Sequence, residues 1–280
     1  MNYIHNKYAD LLAVAEQHKE QYKNAAPFPN IAFENFFNPT VLDQILEEFP
    51  DLEKKGDIKF NTPNEVKLAS KGERRFGPVT RQFVHFLNSE PFLMFLQELT
   101  GIEEKLLPDP YFEGGGYHQS KRGGFLKVHA DFNKHKETGL DRRLNILVYL
   151  NKDWKEEYGG HFELWNRDMT QCVKKVLPAF NTLAMFTTTS FSYHGLPSPI
   201  TCPPDRSRKS LALYYYTNGR PAGEINEGLE DHNTLFVARR GADDKMRRYN
   251  SKQRVKELIK DFLPPVVTKL VKKNKKNGTH

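Results

Sequence analysis

The spacing of apolar positions changes near residue 110. Before that point they recur at helical intervals: Tyr8, Leu11, Leu12, Val14 and Ala15 sit among charges within 5–23, and Val41, Leu42, Ile45, Leu46 and Phe49 share one helical face. Asn38-Pro39 opens this second helix, because asparagine accepts free amide hydrogens and proline fits the first helical position; Pro50 ends it. Two further helices are predicted at 79–88 and 90–100, the latter carrying Phe92, Leu93, Phe95, Leu96 and Leu99 and closing at Gly101. Between these elements, Pro27 to Phe37 reads as a short strand and turn. Residues 51–78 are polar and broken by Gly56, Pro63, Gly72 and Pro78, which predicts a long surface loop placed to cover a substrate.

After Pro110 short apolar or alternating runs take over, separated by turn residues. They lie near 111–118, 124–131, 143–150, 160–166, 171–177, 180–187, 191–196 and 208–216. Eight short strands with tight connections predict an antiparallel barrel or jelly roll. The expected class is α+β, mainly β: a double-stranded β-helix with N-terminal helices packed on it. Three regions follow, a mainly helical support at 1–105, a β core at 106–217, and an extension at 218–280 with a helix at 251–262 and a basic tail.

Composition refines this picture in three respects. Twenty Phe and twelve Tyr favour a β-rich interior over a Leu/Ala bundle. No apolar run approaches the length of a membrane span, and Met1-Asn-Tyr-Ile-His-Asn-Lys has no secretory core, so a soluble, cytoplasmic protein is expected. Cys172 and Cys202 are too few for a disulfide framework and suit a reducing compartment. The net charge of +7 owes much to Lys269, Lys272, Lys273, Lys275 and Lys276, which read as a solvated tail, with anionic partners as the alternative. The basic residues show no aromatic interleaving, which argues against a nucleic-acid strand groove.

The stretch from Gly123 to Asp131 carries the candidate chemistry. His129 and Asp131, at i and i+2, would share one face of a strand and offer one nitrogen and one oxygen ligand to a common point. His194, at the end of another apolar run, supplies a third ligand from a strand able to face the first across the barrel. Two histidines and a carboxylate with open opposite positions describe the facial triad of non-haem Fe(II) oxygenases. Three unrelated polar residues would give the same letters. Arg208 and Ser210 also share a strand face, and an arginine fork with a hydroxyl suits a dicarboxylic co-substrate; a rim arginine in a surface ion pair is the plain alternative. Arg206 is near enough to compete, but it sits in the Pro203-Pro204 loop.

With these motifs in view, the stretch from Tyr117 to Tyr216 resembles the catalytic core of the Fe(II)/2-oxoglutarate-dependent dioxygenases, closest to the prolyl 4-hydroxylase group. The matches are His129-Ala-Asp131, Leu147-Val-Tyr-Leu-Asn-Lys-Asp-Trp154, Gly159-Gly160, His194 and Arg208-Lys-Ser210. The resemblance implies that His129, Asp131 and His194 ligate Fe(II). It implies that Arg208 binds the distal carboxylate of 2-oxoglutarate, with Ser210 and Tyr149 assisting; Tyr149 also reads as a core tyrosine. The reaction implied converts 2-oxoglutarate and O2 to succinate and CO2 while hydroxylating a C–H bond, with ascorbate as a reductant. Asp131 sets the chain apart from the related halogenases, which lack the carboxylate. Phe125, Leu126 and Lys127 stand where the group often has tyrosines, so the prime substrate does not carry over. His118 and His161 are expected in the pocket wall or the scaffold.

Three functions remain open from the sequence: hydroxylation of a prolyl residue in a peptide or protein, hydroxylation of a small molecule, and ligand binding by a non-catalytic jelly roll. An intact triad with an arginine anchor weighs against the last. Specificity is expected from 51–78 and 218–250.

Overall fold

The change of period near residue 110 corresponds to a change of architecture. The computed structural model describes residues 2–54, 57–221 and 231–240, so the helix expected at 251–262 and the basic tail lie outside the described residues. The chain runs through α1 (Leu11–Lys23), β1 (Asn30–Glu34), α2 (Pro39–Glu47), β2 (Ile58–Asn61), β3 (Glu65–Ala69), α3 (Pro78–Leu87), α4 (Glu90–Thr100) and β4 (Leu107–Pro108). It continues through β5 (Gly116–Lys121), β6 (Phe125–Ala130), β7 (Asp141–Tyr149), β8 (Phe162–Trp165), β9 (Cys172–Val176), β10 (Thr182–Thr187), β11 (His194–Leu196), β12 (Ser207–Thr217) and β13 (Leu235–Phe236).

The strands form one hydrogen-bonded sheet in the order β1-β10-β7-β12-β5-β3-β6-β11-β8-β9, with β2 on β3, β4 on β12 and β13 on β6. The sheet folds back on itself: Phe162 of β8 packs on Phe186 of β10 with ring centroids 5.3 Å apart. This is the expected jelly roll. Alternation along its strands divides two environments. Leu183 and Met185 of β10, with Leu211, Leu213 and Tyr215 of β12, join the core formed with Phe83, Phe92 and Phe95 of the helices. Ala184 and Phe186 face the other way, into a smaller interior cluster with Tyr149, Phe162 and Leu164. Both faces of these strands are buried, which is why they read as nearly continuous apolar runs.

The helices start and stop where local chemistry dictates. Asn38 accepts from Thr40 N–H at 3.1 Å, with Pro39 at the first helical position, and α4 closes at Gly101, whose φ of +67° suits glycine. Glu48, just past α2, caps α3 by accepting from the Val79 and Thr80 amides at 2.9 and 2.8 Å.

Two expectations need correction. Residues 51–78 are not one loop but contain the β2–β3 hairpin. Its strands are short and polar, and β3 is held by pairing to β5 through Leu68 and Ala69 and to β6 through Glu65 and Val66; the stabilising partners lie far away in sequence. The run at 111–118 starts later, at Gly116. Asp109 accepts from the Tyr111 and Glu113 amides at 2.8 and 2.6 Å, and this turn overrides the β propensity of Tyr111 and Phe112.

Asn181 joins the N-terminal region to the jelly roll. It is 1 % exposed and adopts a φ of +63°, a conformation asparagine tolerates better than most residues. Its Oδ1 accepts from Phe37 N–H at 2.9 Å and its Nδ2 donates to Phe37 O at 2.8 Å. Replacing it with alanine would leave two buried backbone groups unpaired, so Asn181→Ala should lower unfolding free energy by about 2–4 kcal/mol. Urea denaturation checks this; a loss below about 0.5 kcal/mol would contradict the joint.

Candidate metal centre

Backbone register brings the candidate ligands together. His129 of β6 lies directly opposite His194 of β11 in an antiparallel pair. The two strands are hydrogen-bonded neighbours, not opposed walls of the barrel as the sequence suggested. Their imidazole centroids are 4.4 Å apart. Asp131 follows the last residue of β6, and its Oδ1 lies 3.5 Å from His129 Nε2 while its Oδ2 lies 3.4 Å from His194 Nε2. One ligand atom from each of the three lies within 4.8 Å of the others, and among the described residues no other cluster of histidine, cysteine or carboxylate ligands does so.

The histidine tautomers suit a metal. His129 Nδ1–H donates to Lys127 O and His194 Nδ1–H to Ser192 O, each at 2.8 Å. Both Nε2 lone pairs are thereby left facing the common point, with the rings fixed by main chain. The donor set of two imidazoles and one carboxylate fits Fe(II).

Asp131 is held in turn by Arg142 Nη2, at 3.0 Å, and Asn145 Nδ2, at 2.6 Å, both donating to Oδ2. Burial alone would raise the Asp131 carboxyl, but Arg142, then His194 and His129, outweigh it and hold the group well below the usual carboxylate range. His194 is pushed down to about 3, mainly by burial, with Asp131 opposing. The sequence reading missed Arg142 and Asn145. They are three residues apart, which in a regular strand puts them on opposite faces. A register shift against Tyr215 and Tyr216 leaves Arg143 as an extra residue in β7, and this bulge turns both toward Asp131. Charged and polar residues inside an otherwise apolar run were the one available signal.

Arg208 lies in the same interior. It is 7 % exposed, its Nε donates to Gly160 O at 2.7 Å, and its Nη2 donates to the Tyr149 hydroxyl at 3.1 Å. No carboxylate among the described residues pairs with it. Ser210 is buried and in register with Tyr149. Arg206 instead donates to the carbonyls of Lys152 and Asp153. His118 Nε2–H donates to Gly114 O at 2.9 Å, and burial followed by Lys67 pushes its imidazole down to about 3. His161 pairs with Glu156 at 2.6 Å, outside the triad.

A cavity of about 200 Å³ opens beside His129 and Asp131. The β2–β3 hairpin lines one side with Ile58, Phe60 and Lys67, and β13 contributes Phe236. β13 pairs with β6 at Ala130 and His129, and the Phe236 ring centroid lies 5.5 Å from that of His129. This return of the chain from the polar 218–250 segment had no apolar pattern to announce it.

The depressed imidazole of His194 sets a pH dependence. Its folded pKa lies below the unfolded value near 6.5, so the unfolded chain binds the proton first as pH falls. The associated stability is complete above about pH 6.5 and is lost below it, whereas the Asp131 contribution is lost only below about pH 4. Between pH 7.5 and 5.0 the metal-free protein should lose about 2 kcal/mol through His194. Urea midpoints at the two pH values should differ less in His194→Gln than in the wild type; an equal difference would contradict the assignment.

Comparison with known proteins agrees with this geometry. Residues 115–216 match the 2OG-Fe(II) oxygenase superfamily. Prolyl 3-hydroxylase OGFOD1 of Mus musculus is 26 % identical over 142 residues, 44 % of this chain and 26 % of that protein; the chain thus spans about a quarter of the curated relative it matches. A Pseudomonas putida prolyl-4-hydroxylase superposes with a TM-score of 0.54 at 13 % identity, covering 75 % of this chain and 100 % of the other. A Trichoplax adhaerens prolyl hydroxylase, in complex with a hypoxia inducible factor oxygen degradation domain peptide fragment, gives 0.55 at 14 % identity over 80 % and 96 % of the two chains. Residues 115–216 are thus similar to the 2OG-Fe(II) oxygenase superfamily, and the fold is that of the two prolyl hydroxylases.

Proposed function

We propose that this protein is an Fe(II)- and 2-oxoglutarate-dependent dioxygenase that hydroxylates a prolyl residue of a peptide or protein. His129 Nε2, His194 Nε2 and the Asp131 carboxylate would hold the iron. Arg208 would receive the distal carboxylate of 2-oxoglutarate, with the Tyr149 hydroxyl and Ser210 beside it. Bound iron with 2-oxoglutarate and O2 supplies oxidative decarboxylation coupled to C–H hydroxylation.

The observation that carries this reading is Arg208. A buried guanidinium with no carboxylate partner among the described residues is costly unless a ligand completes it. It shares the interior of the jelly roll with a triad whose imidazoles are already fixed in the metal-binding tautomer. A binding module would have no use for both.

The protein's own groups would orient and exclude. Main-chain carbonyls fix the imidazoles, Tyr149 braces Arg208, and Phe162 and Phe186 pack against His194, shielding that side from water. Support for a prolyl substrate comes from the names of the relatives above, and the small cavity suits one side chain entering between hairpin and β13. A cytoplasmic location is part of the proposal, since both cysteines are free thiols; no helix among the described residues is long and apolar enough to cross a membrane.

Succinate release from 2-oxoglutarate, with Fe(II), ascorbate and prolyl peptides, tests the proposal. His194→Ala should abolish turnover. Arg208→Lys should raise the KM for 2-oxoglutarate by about 10–100-fold, the worth of a lost charged bidentate contact, without changing metal affinity. An unchanged KM would remove Arg208 from the co-substrate site.

A further inference from the structure

Arg142 is 1 % exposed, yet it carries a full charge into the interior beside the cavity. Its guanidinium carbon lies 4.4 Å from the Phe132 centroid and 3.5 Å from that of Tyr214, two rings that stand nearly perpendicular to each other. Two rings at right angles, each in cation–π contact, confine the position of the fork. Nη2 then donates to Asp131 Oδ2 at 3.0 Å, and Nε donates to Asn145 Oδ1 at 2.8 Å.

The second of these bonds extends the effect. Asn145 Oδ1 accepts from Arg142 Nε and from Thr188 Oγ1, the latter at 3.3 Å, so the amide's NH2 end must face Asp131. There it donates to the same Oδ2 at 2.6 Å. Oδ2 thus receives two donors, one directly from Arg142 and one oriented by it, while Oδ1 receives none of this group. An oxygen saturated by charge-assisted bonds is a poorer metal ligand than its neighbour on the same carboxylate.

We infer that Arg142 is a positioning residue that fixes Asp131 to present only Oδ1 to the metal. The inference rests on the metal-site reading above and adds a consequence to it. A carboxylate bound through one oxygen leaves free a coordination position that a two-oxygen mode would fill, and 2-oxoglutarate needs the open positions. Without Arg142 the carboxylate is free to turn and chelate. Tyr214 and Phe132 act through the guanidinium, and the bulge in β7 exists at the point that aims it.

The test uses the full chain loaded with Co(II) without oxygen, reading the visible ligand-field spectrum and the Kd for 2-oxoglutarate. Arg142→Met keeps length and apolar packing but removes the donors. It should change the band intensities before 2-oxoglutarate is added and weaken 2-oxoglutarate binding by about 10–100-fold, the range for loss of a partner behind a metal ligand. Arg142→Lys, with a cation but no planar fork, should fall between wild type and Arg142→Met on both readouts. A purely structural arginine would lower thermal stability and leave both readouts at their wild-type values, which would overturn the inference.

Should Arg142→Met fail to fold, Phe132→Leu leaves every donor in place and removes one of the two rings against the guanidinium. A shift of about two- to fivefold in the same Kd is then expected, and an unchanged Kd and spectrum overturn the inference. Absence of Co(II) binding by the wild type would be a different failure, that of the metal-site reading itself.

Discussion

The pairing of His129 with His194 is the constraint on which the site depends. β6 and β11 are hydrogen-bonded neighbours in antiparallel register at these two residues, so both side chains leave the same face at the same level. A shift of one residue in either strand would turn one imidazole to the opposite face. Asp131 adds little unless that register holds. The same strand, β6, also receives β3 and β13 along its other edge, so the element that positions two of the three candidate ligands is paired on both sides. A strand fixed in this way cannot slide.

Around that pair the structure spends buried polar groups in an ordered way. Each imidazole is tied to a carbonyl two residues before it, Lys127 or Ser192. The carboxylate is tied to Arg142 and Asn145, and Arg208 stands apart, braced by Gly160 O and Tyr149. The first arginine has its carboxylate, and among the described residues the second has none. On the proposed function, that difference separates a group that would shape the metal site from one that would receive a dianionic co-substrate. The helices contribute by covering the outer face of the β10-β7-β12 layer, and Asn181 fixes the N-terminal region to it.

Much of this was legible before the fold. The eight core strands and the four helices follow from hydrophobic periodicity, because burial against one or two layers leaves that trace in the chain. The clustering of His129, Asp131 and His194 follows from an i, i+2 spacing and a second histidine after an apolar run. What escaped shares one physical cause, dependence on distant partners. The β2–β3 hairpin is polar and held by pairing to β5 and β6. β13 is two residues long and, among the described residues, pairs with β6 alone. Arg142 and Asn145 come together through a bulge that breaks the two-residue period on which strand reading rests. Adjacency of the two histidine strands was likewise beyond a reading that saw strands but not their order.

The central claim is that one metal and one 2-oxoglutarate share the interior of this jelly roll, on His129, Asp131, His194 and Arg208. A crystal structure of the protein soaked with Mn(II) and 2-oxoglutarate, with anomalous difference maps at the manganese edge, tests it most directly. One peak within coordinating distance of both Nε2 atoms and Asp131 Oδ1, with a carboxylate on Arg208, is the expected result. A peak elsewhere, or 2-oxoglutarate bound away from Arg208, would contradict the account.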